Sequence, residues 1–170
     1  KISYINLKNS LDRKMNMESQ FKNLKRIEAI TPDNVNSILE YSINTSNIKY
    51  LSVLASHFVA IKTAYDNGLN EVIISEDDID YGIFMKVQTY IYKIWKNNIK
   101  KIDLLQLNSC SIQAIQNLYL PSLKYKNIYL VDKNLKSIFY WGATSYIINR
   151  KGMTKIIKLY NKNTKKFNIT

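Results

Sequence analysis

The chain has 170 residues, 46% hydrophobic and 22% charged, the composition of one globular domain that can bury a core, not of a disordered segment. The 25 Lys+Arg against 13 Asp+Glu give a formal net charge of +12, a positive field that attracts nucleotides, phosphorylated sugars or nucleic acid. The single cysteine, Cys110, excludes an intrachain disulfide and a cysteine-rich zinc site, and no apolar run approaches the roughly 18 residues of a membrane helix.

The charge also has a bland source, because heavy use of Asn, Lys, Ile and Tyr is what an AT-rich coding genome produces. The chain opens at Lys1 with no methionine and no signal-like segment. It reads as a single domain over residues 1–170, truncated at the C-terminus if a fragment. The lack of a signal or membrane segment favours the cytoplasm and leaves the compartment open.

In chain order, Ile2 to Leu7 predicts a first strand, and Ser10 or Asp12 caps a helix with Met17, Phe21 and Leu24 on its apolar side. Arg26 to Ile30 predicts a second strand, closed by Thr31-Pro32. Pro32 and Asp33 suit a helix start, with Val35, Ile38 and Leu39 following. Leu51, Leu54, Phe58, Ile61 and Tyr65 recur at helical spacing, and Asn67-Gly68 supplies a stop.

Val72 to Ile74 has no polar alternation and predicts a strand buried on both faces. A helix follows on Phe84, Val87, Ile91 and Ile94, ending near Asn97-Asn98, with Lys96, Lys100 and Lys101 as a solvated helix end. Asp103 to Asn108 predicts another buried-type strand. Ile128–Val131 and Ser137–Trp141 predict a hairpin, Tyr146–Ile148 a last strand, and Lys151 to about Tyr160 a last helix before a loose basic tail. Strands alternating with helices give a mixed, mainly parallel α/β sheet with an antiparallel part in the C-terminal half.

The most informative stretch is Val72-Ile73-Ile74-Ser75-Glu76-Asp77-Asp78-Ile79-Asp80, an apolar strand ending in four carboxylates. Such groups repel one another, and a hard cation such as Mn²⁺ or Mg²⁺ relieves this. In open α/β sheets the ligand crevice lies beyond the carboxyl ends of the strands, where this cluster falls. Glu76 and Asp78 fall on the same side of an extended segment and form the candidate metal pair. The bland alternative is a solvated acidic turn. Only four glycines occur (Gly68, Gly82, Gly142, Gly152), so neither a P-loop nor a GxGxxG turn is possible, and a phosphate must be held by cations or a metal.

Ile5-Asn6-Leu7 followed by Arg13 resembles the opening motif of glycosyltransferase family 25. Phe21 with Arg26-Ile27-Glu28-Ala29-Ile30, then Ser56-His57, then Glu76-Asp77-Asp78-Ile79, resemble its next motifs in order. Asp103-Leu104-Leu105-Gln106-Leu107 resembles the strand after them, and Gly142 to Ile148 with Lys151-Gly152 resembles its closing acceptor-side motif. The resemblance spans about Ile2 to Leu159.

It implies a GT-A-like, Rossmann-like fold and an inverting transfer of a hexose, galactose or glucose. The donor implied is a nucleotide-sugar, often UDP-galactose, and the acceptor a hydroxyl on a glycan, lipopolysaccharide or protein. It also implies Mn²⁺ or Mg²⁺ bound directly by Asp78, with Glu76 facing the metal or the donor ribose. Asn6, Leu7, Arg13 and Asp77 then lie with the donor, and Trp141, Gly142 and Thr144 on the acceptor side. The family places a further acidic residue after the last helix, and this chain reaches Thr170 without one. The catalytic base therefore stays unassigned, with Asp103 and Asp132 as weak candidates.

Several of these residues also have a plain structural reading. His57 is either a ligand residue or a helical histidine satisfied by a buried hydrogen bond. Tyr140 and Trp141 either stack on a sugar or belong to the core. Arg13 either clamps a phosphate or sits on a helix surface, and Cys110 is a small buried residue. The rival functions are a basic nucleic-acid-binding module, a two-metal nuclease on the same carboxylates, and a family member that only binds. Lysines scattered rather than striped, and no nucleic-acid motif, weigh against nucleic acid. Oligomeric state is not legible.

Overall fold

The computed structural model describes residues 1–39, 48–79, 91–107, 144–162, 164 and 166–167. In chain order these contain β1 (Ile2–Asn6), α1 (Leu11–Gln20), β2 (Lys25–Glu28), a 3₁₀ turn at Val35–Ser37 and α2 (Ile48–Asp66). Next come β3 (Glu71–Glu76), α3 (residues 91–98), β4 (Leu104–Gln106), β5 (Ser145–Asn149) and α4 (Arg150–Leu159). Tyr160–Asn161 (β6) and Lys166–Phe167 (β7) close the described chain as an antiparallel pair, so the tail is not wholly loose.

Five strands form one mixed sheet in the order β2-β1-β3-β5-β4. β1 is parallel to both β2 and β3, and β5 runs antiparallel between β3 and β4. Four of the five therefore point the same way. This is the mainly parallel sheet with a C-terminal antiparallel part that the alternation of elements predicts. The predicted hairpin over residues 128–141 and the helix start at Phe84 and Val87 lie outside the described residues, as do Tyr140 and Cys110.

Both faces of the sheet are covered, which is why its central strands carry apolar side chains without alternation. On one face Ile5, Ile27, Val72, Ile74 and Ile148 pack against Ala60, Ile61 and Ala64 of α2 and Met153 of α4. On the other, Tyr4 packs with Met17 of α1 and Ile79. Val72, Ile74 and Ile148 are essentially sealed from solvent, and burying each contributes roughly 1.5–3 kcal/mol. The small residues Ala60 and Ala64 let α2 approach the sheet closely.

α2 ends as its Asn67-Gly68 signal predicts. Gly68 takes φ +69°, with its N–H bonded to Tyr65 O at 2.9 Å and Leu69 N–H to Ala64 O at 3.2 Å. That is a left-handed cap which glycine adopts without a Cβ penalty. Arg150 finishes the seal, donating to the carbonyls of Tyr65 (3.2 Å) and Leu69 (3.3 Å) while its guanidinium lies over the Tyr65 ring.

Three expectations are corrected. The helix predicted from Pro32 is, within the described residues, only the turn Val35–Ser37. There Ser37 Oγ donates to Asn34 O at 2.6 Å, a local bond that competes with helix continuation. The strand predicted as buried is β4, at the sheet edge, with Leu104 43% exposed. Lys96 is not merely solvated, since it donates to Glu71 beside Tyr92 Oη and Trp95 Nε1. Burial pushes the Glu71 carboxyl up, but those three donors outweigh it and hold it below its ordinary value.

Candidate functional site

The register of β1 on β3 builds the site. Ile5 lies opposite Glu76 in two parallel strands, so Asn6 and Asp77 emerge side by side beyond the carboxyl ends of the sheet centre. Asn6 is buried and uses its whole amide. Nδ2 donates to Asp77 Oδ2 at 2.7 Å and to Ser10 O at 3.1 Å, while Oδ1 accepts from Arg26 Nε at 2.8 Å. Its polar atoms are therefore engaged within the protein rather than offered to a donor.

Asp77 is also buried, and its second oxygen accepts from Arg13 NH1 at 3.1 Å. Arg13 reaches down from the first turn of α1, with its side chain 56% exposed. The hydrogen bond to Asp77 and the negative charges around it raise its pKa further above the ordinary value. The same NH1 lies 3.8 Å from Asp78, whose side chain is half exposed. Thus Asp77 and Asp78, adjacent in the acidic run, do not share one environment. Asp77 is a structural anchor, and Asp78 is the member that faces water.

Glu76 points elsewhere. Its carboxylate Oε1 lies 3.4 Å from His57 Nε2, and its N–H donates to Thr144 O at 2.8 Å. His57, on α2, is buried and makes a second contact through Nδ1 to the Tyr146 hydroxyl at 3.1 Å. The buried hydrogen-bonding role anticipated for His57 is present, yet the ring also borders the cavity. That cavity, of about 220 Å³, is lined by Leu7, Arg13, Lys49, His57, Glu76 and Asp77, with Ile30, Pro32 and Ser56 among the other walls. Ser56 Oγ fixes one of those walls by accepting Ile30 N–H at 2.8 Å.

The structure brings Asn6, Leu7, Arg13, His57, Glu76, Asp77 and Asp78 to one end of the sheet, with Thr144 beside Glu76. It does not bring Asp103. Leu104 is level with Val72 through Ile148, so Asp103 stands about 20 Å along the strand direction from Asp77, at about 3.3 Å per residue. Its carboxylate is taken by Lys155, with Lys151 at 3.6 Å, and the Lys155 hydrogen bond chiefly holds its pKa below the ordinary value. Asp103 is an ion-pair partner at the wrong end of the sheet for a base. Asp132, Trp141, Gly142 and Asp80 lie outside the described residues.

Sequence reasoning missed Arg26, which orients Asn6, and Tyr146, which was read only as strand. Neither carries a local signal, because each partner is distant in the chain. Among the described residues, no three or more His, Cys, Asp or Glu side chains converge as a metal-binding group. A Mg²⁺-type ion completed by substrate phosphates and water needs only one or two carboxylates. Half-exposed Asp78 fits that donor set, whereas Asp77 is held by Asn6 and Arg13 and Glu76 turns toward His57.

A mixed, mainly parallel sheet with helices on both faces and a cavity at the carboxyl ends of β1 and β3 defines a Rossmann-like α/β domain. The family model described as "Glycosyltransferase family 25 (LPS biosynthesis protein)" matches residues 1–169, and the chain belongs to that family. A 92-residue stretch, 54% of the chain, is 35% identical to the phenylalanine–tRNA ligase beta subunit of Buchnera aphidicola subsp. Acyrthosiphon pisum (strain APS). It spans 11% of that curated relative, and so small a share defines no family. No helix among the described residues is long and apolar enough to cross a membrane.

Proposed function

We propose that this domain transfers a hexosyl group, with inversion, from a UDP-sugar to a hydroxyl of a glycan acceptor in lipopolysaccharide assembly. The observation that carries the reading is the Arg13 guanidinium, anchored through one nitrogen on buried Asp77 and exposed at the cavity beyond β1 and β3. A cation fixed in that way suits the diphosphate of a nucleotide-sugar in a chain without a glycine cradle. The family membership supports the same reaction class.

In the transfer, the bond from the anomeric carbon to the diphosphate oxygen breaks and its electron pair leaves with the diphosphate. The acceptor oxygen forms the new bond from the opposite face, and its proton passes to a general base that none of the described residues at this end of the sheet is assigned to be. Charge therefore grows on the departing diphosphate, and fixed positive groups there lower the barrier. Arg13 lies at that position in the reading, with Asn6 and Asp77 holding it in place. Asp78 would hold Mn²⁺ or Mg²⁺, which when bound supplies further neutralisation of the leaving group.

Calorimetric titration of UDP tests this, with Mn²⁺ present and again with EDTA. Binding in Mn²⁺ that is lost in EDTA is expected. Equal affinity in both conditions removes the metal and leaves Arg13 as the clamp, and no UDP binding in either overturns the donor assignment.

A further inference from the structure

Resting on that reading, we propose that His57, backed by Tyr146, is a positioning residue that aims the Glu76 carboxylate into the cavity to accept a hydroxyl of the donor. The chain of contacts crosses three elements, from Tyr146 on β5 through His57 on α2 to Glu76 at the end of β3. Tyr146 and His57 are both buried, so the hydrogen bond between them has no water as a ready substitute.

The tautomer of His57 follows from its neighbours. Among the described residues His57 Nδ1 is the one partner of the Tyr146 hydroxyl, and burial raises the phenol pKa so that the O–H is retained. For that proton to be accepted, Nδ1 must offer its lone pair. The ring proton then sits on Nε2 and points at Glu76 Oε1. The other neutral tautomer sets a lone pair against the carboxylate, and a doubly protonated ring leaves the Tyr146 proton without an acceptor.

Glu76 is already pinned at its backbone by the bond to Thr144 O, so the swing of its carboxylate is the freedom that His57 removes. With Oε1 held, Oε2 has no partner among the described residues, while Glu76 lines the cavity. A carboxylate oxygen in that state accepts a hydroxyl, either from the ribose or from the hexose.

Glutamine and asparagine separate the two ring nitrogens. In His57→Gln the amide nitrogen falls near Nε2 and keeps a donor toward Glu76, whereas in His57→Asn it falls near Nδ1 and does not. UDP, 2′-deoxy-UDP and UDP-galactose are titrated with Mn²⁺ into the wild type, both variants and Tyr146→Phe. Thermal melts confirm that each is folded.

A wild-type preference for UDP over its deoxy form places the hydroxyl on the ribose, and a preference for UDP-galactose over UDP places it on the hexose. Whichever preference is present is expected to fall about tenfold in His57→Asn, to fall severalfold in Tyr146→Phe, and to persist in His57→Gln. If His57→Asn does not fold, Tyr146→Phe against His57→Gln carries the comparison. Preferences that are absent in the wild type, or unchanged or equally reduced in all folded variants, overturn the positioning role and leave the transferase reading intact. A wild type that binds none of the three probes overturns both.

Discussion

Asp77 and Asp78 are adjacent and chemically identical, yet β1 treats them differently. Asp77 is buried and closes two hydrogen bonds, to Asn6 at 2.7 Å and Arg13 at 3.1 Å. Among the described residues, Asp78 has only the 3.8 Å approach of Arg13, and its side chain is half exposed. Converting each to asparagine makes the same covalent change in two environments. In Asp77→Asn the new amide cannot accept from both donors, and losing a buried bond to a charged acceptor costs about 1.5–3 kcal/mol. Asp78→Asn is expected to leave apo stability within about 0.5 kcal/mol. Urea unfolding of the two variants measures this directly. Equal stabilities would mean that the Asn6–Asp77–Arg13 network holds nothing together. Mn²⁺ raising the wild-type melting temperature but not that of Asp78→Asn is the companion result the metal proposal requires.

At the scale of elements, α4 is seated by one turn of chain. Asn149 caps it by accepting Gly152 N–H at 2.8 Å, and its own amide donates to Ile102 O at 2.9 Å, tying the helix start to the segment before β4. A Cβ on Gly152 would stand 2.7 Å from Asp103 O and 2.9 Å from Ile148 Cγ1. Gly152→Ala in an ordinary helix gains about 0.5–1 kcal/mol. Here the backbone carbonyl of Asp103 cannot move aside cheaply, so a net loss of about 1–3 kcal/mol is expected in chemical unfolding. A stabilised variant would show that α4 can lift from β4. Helical and strand periods made β1, α2, β3 and α4 legible, because each presents its apolar residues to a neighbour along its whole length. The edge position of β4 was not legible, since an apolar run records what a strand would bury and not whether a neighbour arrives. Nor was the division of labour among Glu76, Asp77 and Asp78. That depends on Asn6 being 71 residues away in sequence and adjacent in the sheet, and on Tyr146 standing 89 residues from His57.

For the whole molecule, the perturbed groups define a window of pH stability. Glu71, tied by Tyr92, Trp95 and Lys96, and Asp103, tied by Lys155 and Lys151, are held below their ordinary values of 4.5 and 3.8. A depressed carboxyl gives stability that is present above its unfolded pKa and lost as pH falls through the folded one. Tyr4 is pushed up to about 12, first by burial and then by its bond to Glu18, and Tyr146 is raised by burial. A raised phenol gives stability present below its ordinary value of 10.0 and lost as pH climbs toward the folded value. Lys96, raised chiefly by its bond to Glu71, acts in the same direction at the alkaline end. Stability measured by denaturant titration is therefore expected to be flat between about pH 5 and pH 9, to fall below about pH 4, and to fall again above about pH 10. Tyr4→Phe separates the alkaline limb from general base unfolding. It loses the 2.8 Å bond to Glu18 at neutral pH, yet its stability should decline less steeply than that of the wild type between pH 10 and 12. Parallel alkaline limbs in the two proteins would show that Tyr4 ionises as freely in the folded chain as in the unfolded one, and that α1 does not seal it against β1.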